Sequence, residues 1–125
     1  MLADDHVPFL EAASTLLLPH YEIVGTAENG ESLVQHALRL RPDVIVTDIT
    51  MPVMNGIDAI QRLHELNFSP RIVILTIHRE EELQKACTAE GALGYVIKSH
   101  MKGHLIPAIE AALAGESYVS PIGAM

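Results

Sequence analysis

A chain of 125 residues falls within the size range of one domain, and 49% hydrophobic with 19% charged residues is ordinary globular composition. The formal net charge of −8 argues against direct binding to nucleic acid, which takes clustered basic side chains. No apolar run approaches the ~20 residues of a membrane span, and acidic residues interrupt the start of the chain where a signal peptide would be apolar. A single cysteine, Cys87, fits a reducing compartment, so we expect one cytoplasmic domain.

Short apolar runs alternate with amphipathic stretches along the chain. The runs predict strands at residues 1–3, 21–27, 44–48, 71–76 and 94–98. The stretches between and after them predict helices at residues 6–18, 31–40, 57–66, 79–89 and 102–114. Strict alternation with connections this short predicts an α/β fold, in which helices cover both faces of a parallel sheet through right-handed crossovers.

Polar side chains stand at the ends of four of these strands. Asp4 and Asp5 end the first strand, Asp48 ends the third, Thr76 the fourth and Lys98 the fifth. The carboxyl ends of parallel strands meet at one edge of the sheet, where ligands bind. Three carboxylates gathered there repel one another, and hard oxygen ligands in that number suit Mg²⁺. The ammonium and hydroxyl groups complete a set suited to phosphoryl transfer, with Asp48 as the nucleophile.

With these residues in these positions, the sequence resembles the receiver domains of two-component response regulators over essentially the whole chain. The resemblance is carried by Asp4-Asp5, by Asp48 with Met51-Pro52 and Asn55-Gly56, by Thr76 and by Tyr95-Val96-Ile97-Lys98. It implies a flavodoxin-like, doubly wound sheet of five parallel strands in the order 2-1-3-4-5, with five helices.

The resemblance also implies roles for individual residues. Asp48 would accept a phosphoryl group from a sensor histidine kinase and would bind Mg²⁺ directly, as would Asp5. Asp4 would bind the ion through water, and the backbone carbonyl of Thr50 would be a further ligand.

Three other residues receive roles by the same resemblance. Lys98 would contact the phosphoryl group, while Thr76 would move toward it and Tyr95 would change orientation as part of the switch. This activation would reshape the surface formed by the fourth helix, the fifth strand and the fifth helix.

The segments at residues 21–25 and 115–121 resemble the subfamily whose receivers precede a LuxR/NarL-type helix-turn-helix domain. We therefore expect a receiver domain at residues 1–115, followed at residues 116–125 by a tail or by the start of a linker to an effector domain. The short first strand suggests that residues precede it in a longer regulator. A homodimer is expected from the resemblance, and DNA would be contacted only through the separate effector domain.

Two residues depart from the family pattern. Ile77 follows Thr76 where relatives commonly have a small residue, so its branched side chain could narrow access to the site. Ser99 follows Lys98 where many relatives have proline after a cis bond. A cis bond before a residue other than proline costs roughly 2.5–4 kcal/mol, so this bond is either trans or strained.

Other interpretations of the residues remain open. A Mg²⁺-dependent hydrolase of the haloacid dehalogenase type also uses an aspartate at a strand end, but it needs a second acid where this chain has Thr50. A receiver-like interaction module that takes no phosphate is the other alternative. A metal site at His100 and His104 is disfavoured because no third ligand is evident, and His6 and His78 are expected to be solvated loop side chains.

Overall fold

The computed structural model describes residues 1–121. Its strands are β1 (Leu2–Ala3), β2 (Thr26–Ala27), β3 (Val44–Thr47), β4 (Arg71–Thr76), β5 (Gly94–Ile97) and β6 (Tyr118–Val119). Its helices are α1 (Val7–Leu17), α2 (Gly30–Leu40), α3 (Gly56–Glu65), α4 (Glu81–Ala89) and α5 (Met101–Leu113), with a 3-10 turn at Lys98–His100. Across these residues, every helix is too short or too polar to cross a lipid bilayer.

The strands form one sheet in the order β2-β1-β3-β4-β5-β6, and every pairing is parallel. The predicted order 2-1-3-4-5 and the five helices are thereby confirmed. A sixth strand, β6, adds to the predicted five and pairs with β5. Its two residues are too few to show an alternating pattern, which is why it could not be predicted from the sequence.

Successive strand residues point to opposite faces of the sheet, and each face carries its own core. In β4, Ile72 and Ile74 belong to the core beneath α2, α3 and α4, whereas Val73 and Leu75 belong to the core beneath α1 and α5. This continuous burial explains why the predicted strands appear in the sequence as uninterrupted apolar runs. The β2 strand is shorter than predicted, because only Thr26 and Ala27 of that segment pair with β1.

The register of the sheet fixes which strand ends are neighbours. Ala3 of β1 lies beside Thr47 of β3, and Thr76 of β4 lies beside Ile97 of β5. The residue after each strand therefore emerges at the same edge of the sheet. This edge carries the side chains of the candidate site.

Candidate functional site

Asp48 follows β3 directly and lies almost buried, with 6% of its surface exposed. Its amide donates to the carbonyl of Ala3 at 3.0 Å, so β1 holds the backbone in place. One carboxylate oxygen, Oδ1, accepts from the amide of Ile49 at 2.7 Å. The carboxylate is thus fixed in direction by its own loop before any ligand arrives.

Two further carboxylates meet Asp48. Oxygens of Asp4, Asp5 and Asp48 lie within 4.8 Å of one another, and this is the one such cluster of potential metal ligands within residues 1–121. Asp4 is buried and accepts from the amide of His6 at 2.9 Å, whereas Asp5 is exposed. The structure therefore brings together the three acids that the sequence placed at strand ends.

Lys98 lies among the acids, with its ammonium Nζ 2.7 Å from Asp4 Oδ2 and 2.9 Å from Asp48 Oδ2. The same Nζ lies 4.4 Å from the centre of the Phe9 ring, which adds a cation–π contact. Burial alone would lower the pKa of Lys98, but the hydrogen bonds to Asp4 and Asp48 outweigh burial and raise it. Lys98 is therefore a firmly charged group that joins two of the carboxylates.

This donor set fits a divalent cation. Three carboxylates against one ammonium leave an excess of negative charge, and exposed Asp5 presents its oxygen from the solvent side. Carboxylate oxygens are the ligands that Mg²⁺ prefers, usually with several waters retained. Thr50, whose backbone carbonyl is a further ligand by the family resemblance alone, belongs to the loop directly after Asp48.

Backbone hydrogen bonds connect the loop after Asp48 to the first residues of helices α2 and α3. The amide of Gly56 donates to the carbonyl of Ile49 at 2.7 Å, and the amide of Gly30 donates to the carbonyl of Met54 at 2.8 Å. A Cβ on Gly56 would lie 2.1 Å from the carbonyl oxygen of Asp48, so only glycine fits there. The Asn55 side chain caps α3, which completes the physical reason for the Asn-Gly pair in the sequence.

Thr76 ends β4 at the same edge and is fully buried. Its hydroxyl Oγ1 accepts from the amide of His78 at 3.2 Å. Among the described residues no hydrogen bond joins Thr76 to Asp48. This bond uses a lone pair of the hydroxyl oxygen and leaves its O–H available to donate elsewhere.

Tyr95 is 2% exposed and points inward, where its hydroxyl donates to the carbonyl of His78 at 2.9 Å. Burial, with smaller contributions from nearby Cys87, Glu80 and Asp48, raises the pKa of this phenol far above its usual value. Tyr95 and Thr76 therefore hold the same loop residue, His78, from two directions.

His78 is a partly exposed loop residue, as expected, but its side chain also makes contacts that the sequence did not reveal. A 2.9 Å hydrogen bond joins its Nε2 to Oγ1 of Thr50, and its Nδ1 lies 3.5 Å from a carboxylate oxygen of Glu80. The contact spans the two loops that follow β3 and β4, next to Asp48. One signal could have found it: Thr50 and His78 each stand two positions after a predicted site residue on neighbouring strands.

The two departures from the family pattern have clear positions. Ile77 is 68% exposed, so most of its side chain faces solvent. The Lys98–Ser99 peptide is trans, since the described residues contain no cis bond. The Ser99 hydroxyl accepts from the guanidinium of Arg79 at 2.9 Å, which ties this loop to the one before α4.

His100 and His104 lie side by side with their ring centres 5.6 Å apart. His104 uses its Nδ1 for a hydrogen bond with the Tyr118 hydroxyl. No third metal ligand joins the pair in the part of the chain that the structure describes.

Comparison with known proteins supplies the family. A sequence model described as "Response regulator receiver domain" matches residues 1–110. The nitrate/nitrite response regulator protein NarL of Escherichia coli K12 is 37% identical over 123 residues, which cover 96% of this chain and 56% of NarL. The chain spans about half the length of the curated relatives it matches.

Two solved structures extend the likeness. A LuxR-family two-component response regulator from Aurantimonas superimposes with a TM-score of 0.91 at 33% identity, covering 97% of this chain and 88% of that one. A structure of two RcsB dimers bound to two parallel DNAs matches with a TM-score of 0.85 at 25% identity, covering 95% of this chain and 62% of that one. Both likenesses span nearly the whole chain described here.

Proposed function

This chain belongs to the family of response regulator receiver domains, of the LuxR/NarL type, and on that premise we propose that Asp48 is its phosphoryl acceptor. The donor would be a phosphohistidine of a sensor histidine kinase. One carboxylate oxygen of Asp48 would attack the phosphorus, so that a P–O bond forms as the P–N bond breaks and the histidine leaves with a proton. The product is an aspartyl phosphate that switches the domain.

Mg²⁺ is proposed as the cofactor, since the clustered oxygens of Asp4, Asp5 and Asp48 match its preference. Asp5 and Asp48 would bind it directly, Asp4 through a water and Thr50 through its backbone carbonyl. When bound, the ion offsets charge on the transferring group, which is most of what phosphoryl transfer requires. The three carboxylates would hold the ion in position before the phosphoryl donor binds.

Lys98 would supply the second cation. Its ammonium already lies 2.9 Å from Asp48 Oδ2, where an incoming phosphoryl oxygen would bring new negative charge. Phosphorylation of Asp48 removes the full carboxylate charge from Lys98 and offers a phosphoryl oxygen in its place. The ammonium therefore keeps an anionic partner in both states.

The switch itself is proposed to involve Thr76 and Tyr95. The Thr76 hydroxyl would move toward the phosphoryl group and donate its O–H to a phosphoryl oxygen, and the His78 amide that donates to the same hydroxyl would shift with it. His78 would then move with its loop, which changes the site occupied by the Tyr95 hydroxyl. Only such differences in contact between two states can shift their populations.

The phosphorylated receiver domain would act on an effector domain in the same protein. We propose residues 1–115 as the receiver domain and residues 116–125 as the start of a linker to a DNA-binding effector domain; residues 122–125 lie outside the described part of the chain. The DNA-bound RcsB dimers support a homodimer that controls transcription. We place this activity in the cytoplasm, with a sensor kinase as the partner.

The main support for the proposal is the position of buried Asp48, which pairs with Lys98 and lies close to two further carboxylates. The test is intact mass after incubation with Mg²⁺ and acetyl phosphate. A gain of about 80 Da, one phosphoryl group, is expected in the parent protein and not in Asp48→Asn. No gain in the parent would overturn the proposal and favour an interaction module that works without phosphate.

A further inference from the structure

Ser120 lies directly after β6 and is one of the few buried polar residues, with 1% of its surface exposed. Its amide donates to the carbonyl of Tyr95 at 2.8 Å. Its hydroxyl Oγ accepts from the amide of Ile97 at 3.0 Å, in a buried hydrogen bond. Both partners belong to β5, the strand that directly precedes Lys98.

The hydroxyl of Ser120 stands in for a backbone group. Along a parallel ladder, the backbone groups of alternate residues face the same neighbour, so Tyr95 and Ile97 both face β6. The next acceptor in a regular ladder would be the carbonyl of Ser120. Its hydroxyl takes that place instead, so the regular ladder gives way to a side-chain contact at this residue.

The peptide held in this way leads straight into the site. Ile97 is the last residue of β5, and the chain turns into the 3-10 segment at Lys98. The Lys98 ammonium reaches Asp4 and Asp48 from that turn, at 2.7 and 2.9 Å. The direction in which Lys98 leaves the sheet is therefore set at the Ile97 amide.

We infer that Ser120 is a positioning residue for phosphoryl transfer at Asp48, because its buried hydroxyl fixes the Ile97–Lys98 junction from which the site ammonium projects. The inference rests on the proposed function and adds to it a residue outside the family-model match, which ends at residue 110. Ser120 acts through the backbone and Lys98, and it touches no reacting atom.

The decisive variant is Ser120→Ala, which leaves the buried Ile97 amide without its acceptor. We expect the rate constant for phosphorylation by acetyl phosphate to fall about fivefold, as the ammonium is held less well. Mg²⁺ should still bind, because the backbone segments that position Asp4, Asp5 and Asp48 are not changed. A second readout needs no metal: the nitrogen NMR signal of the Lys98 ammonium should shift and broaden.

Two control variants separate positioning from general stability. Tyr118→Phe removes a hydroxyl from the same strand, but that hydroxyl contacts His104 rather than β5, so phosphorylation and the Lys98 signal should match the parent. Ser120→Thr keeps a hydroxyl and should restore most of the rate lost in Ser120→Ala. All measurements are made well below the unfolding temperature of the least stable variant.

The outcomes are distinct. A parent-like rate and an unchanged Lys98 signal in Ser120→Ala would overturn the inference, even if that variant unfolds at a lower temperature. Failure of Ser120→Thr to recover any rate would also overturn it, since the hydroxyl would then not be the active feature. Absence of phosphorylation in the parent protein would instead overturn the proposed function, and this inference with it.

Discussion

His78 and Thr50 are joined by a 2.9 Å hydrogen bond between Nε2 and Oγ1, although 28 positions separate them along the chain. The bond closes a bridge between the loops that follow β3 and β4. Thr50 follows Asp48 by only two positions, so we expect this bridge to limit the approach of water to the proposed aspartyl phosphate.

Removal of the bridge should shorten the lifetime of that phosphate. In His78→Ala we expect hydrolysis to be roughly threefold faster, because water approaches a less enclosed phosphorus. Decay of the phosphorylated protein, followed by intact mass after removal of the donor, measures the rate. His78→Gln, which can still hydrogen-bond to Thr50, is the matched control. Equal decay in parent and His78→Ala would show that the bridge does not limit water.

Asp5 should make the metal-free protein less stable, because it places a third carboxylate beside Asp4 and Asp48. We expect Asp5→Asn to raise the unfolding temperature without Mg²⁺ by about 3 °C. The same variant should lose most of the stabilisation that Mg²⁺ gives the parent. Glu11→Gln, at an exposed position of α1, removes the same charge and should change neither quantity. A retained Mg²⁺ shift in Asp5→Asn would exclude Asp5 as a ligand.

Lys98 predicts a specific loss of stability at alkaline pH. Its pKa is raised above the ordinary 10.5, since the hydrogen bonds to Asp4 and Asp48 outweigh the opposing effect of burial. The stabilisation from the charged ammonium is therefore complete below pH 10.5 and is lost as pH rises through the higher pKa of the folded protein.

Urea unfolding between about pH 8 and pH 11.5 measures this loss. Lys98→Met should be less stable than the parent at pH 8 by about 3 kcal/mol, because two buried carboxylates lose their partner, and its alkaline slope should be flatter. Lys102→Met, which removes an exposed ammonium from α5, should keep the parent slope. Parallel slopes for the parent and Lys98→Met would refute the assignment.

Two glycines should respond in opposite ways to alanine. Gly56→Ala forces a Cβ to 2.1 Å from the Asp48 carbonyl, so we expect lower stability and slower phosphorylation. Gly103→Ala meets nothing within 4 Å on α5 and should stabilise the protein by about 0.5–1 kcal/mol. Thermal unfolding of both variants checks the pair. Comparable destabilisation in the two would mean that the close approach at Gly56 is not the cause.

The sequence predicted well the strands of the sheet and the site residues that stand at their ends. The runs at β3 and β4 are apolar on both faces, so their limits were visible, and parallel topology then placed Asp4, Asp48 and Lys98 at one edge. Sequence could not predict that Lys98 bridges both acids, because that depends on side-chain reach across three strands. It also missed the role of His78, whose partner Thr50 is distant in the chain.

The sheet ends on both sides in a strand of only two residues, Thr26–Ala27 on one side and Tyr118–Val119 on the other. A long outer strand would offer a row of unpaired backbone groups as a template for another chain. Here β6 covers β5, and Pro121 stops the row immediately afterwards. The short outer strands therefore disfavour edge-to-edge aggregation. A receiver truncated before Tyr118 would lose this protection, because β5 would become the edge of the sheet.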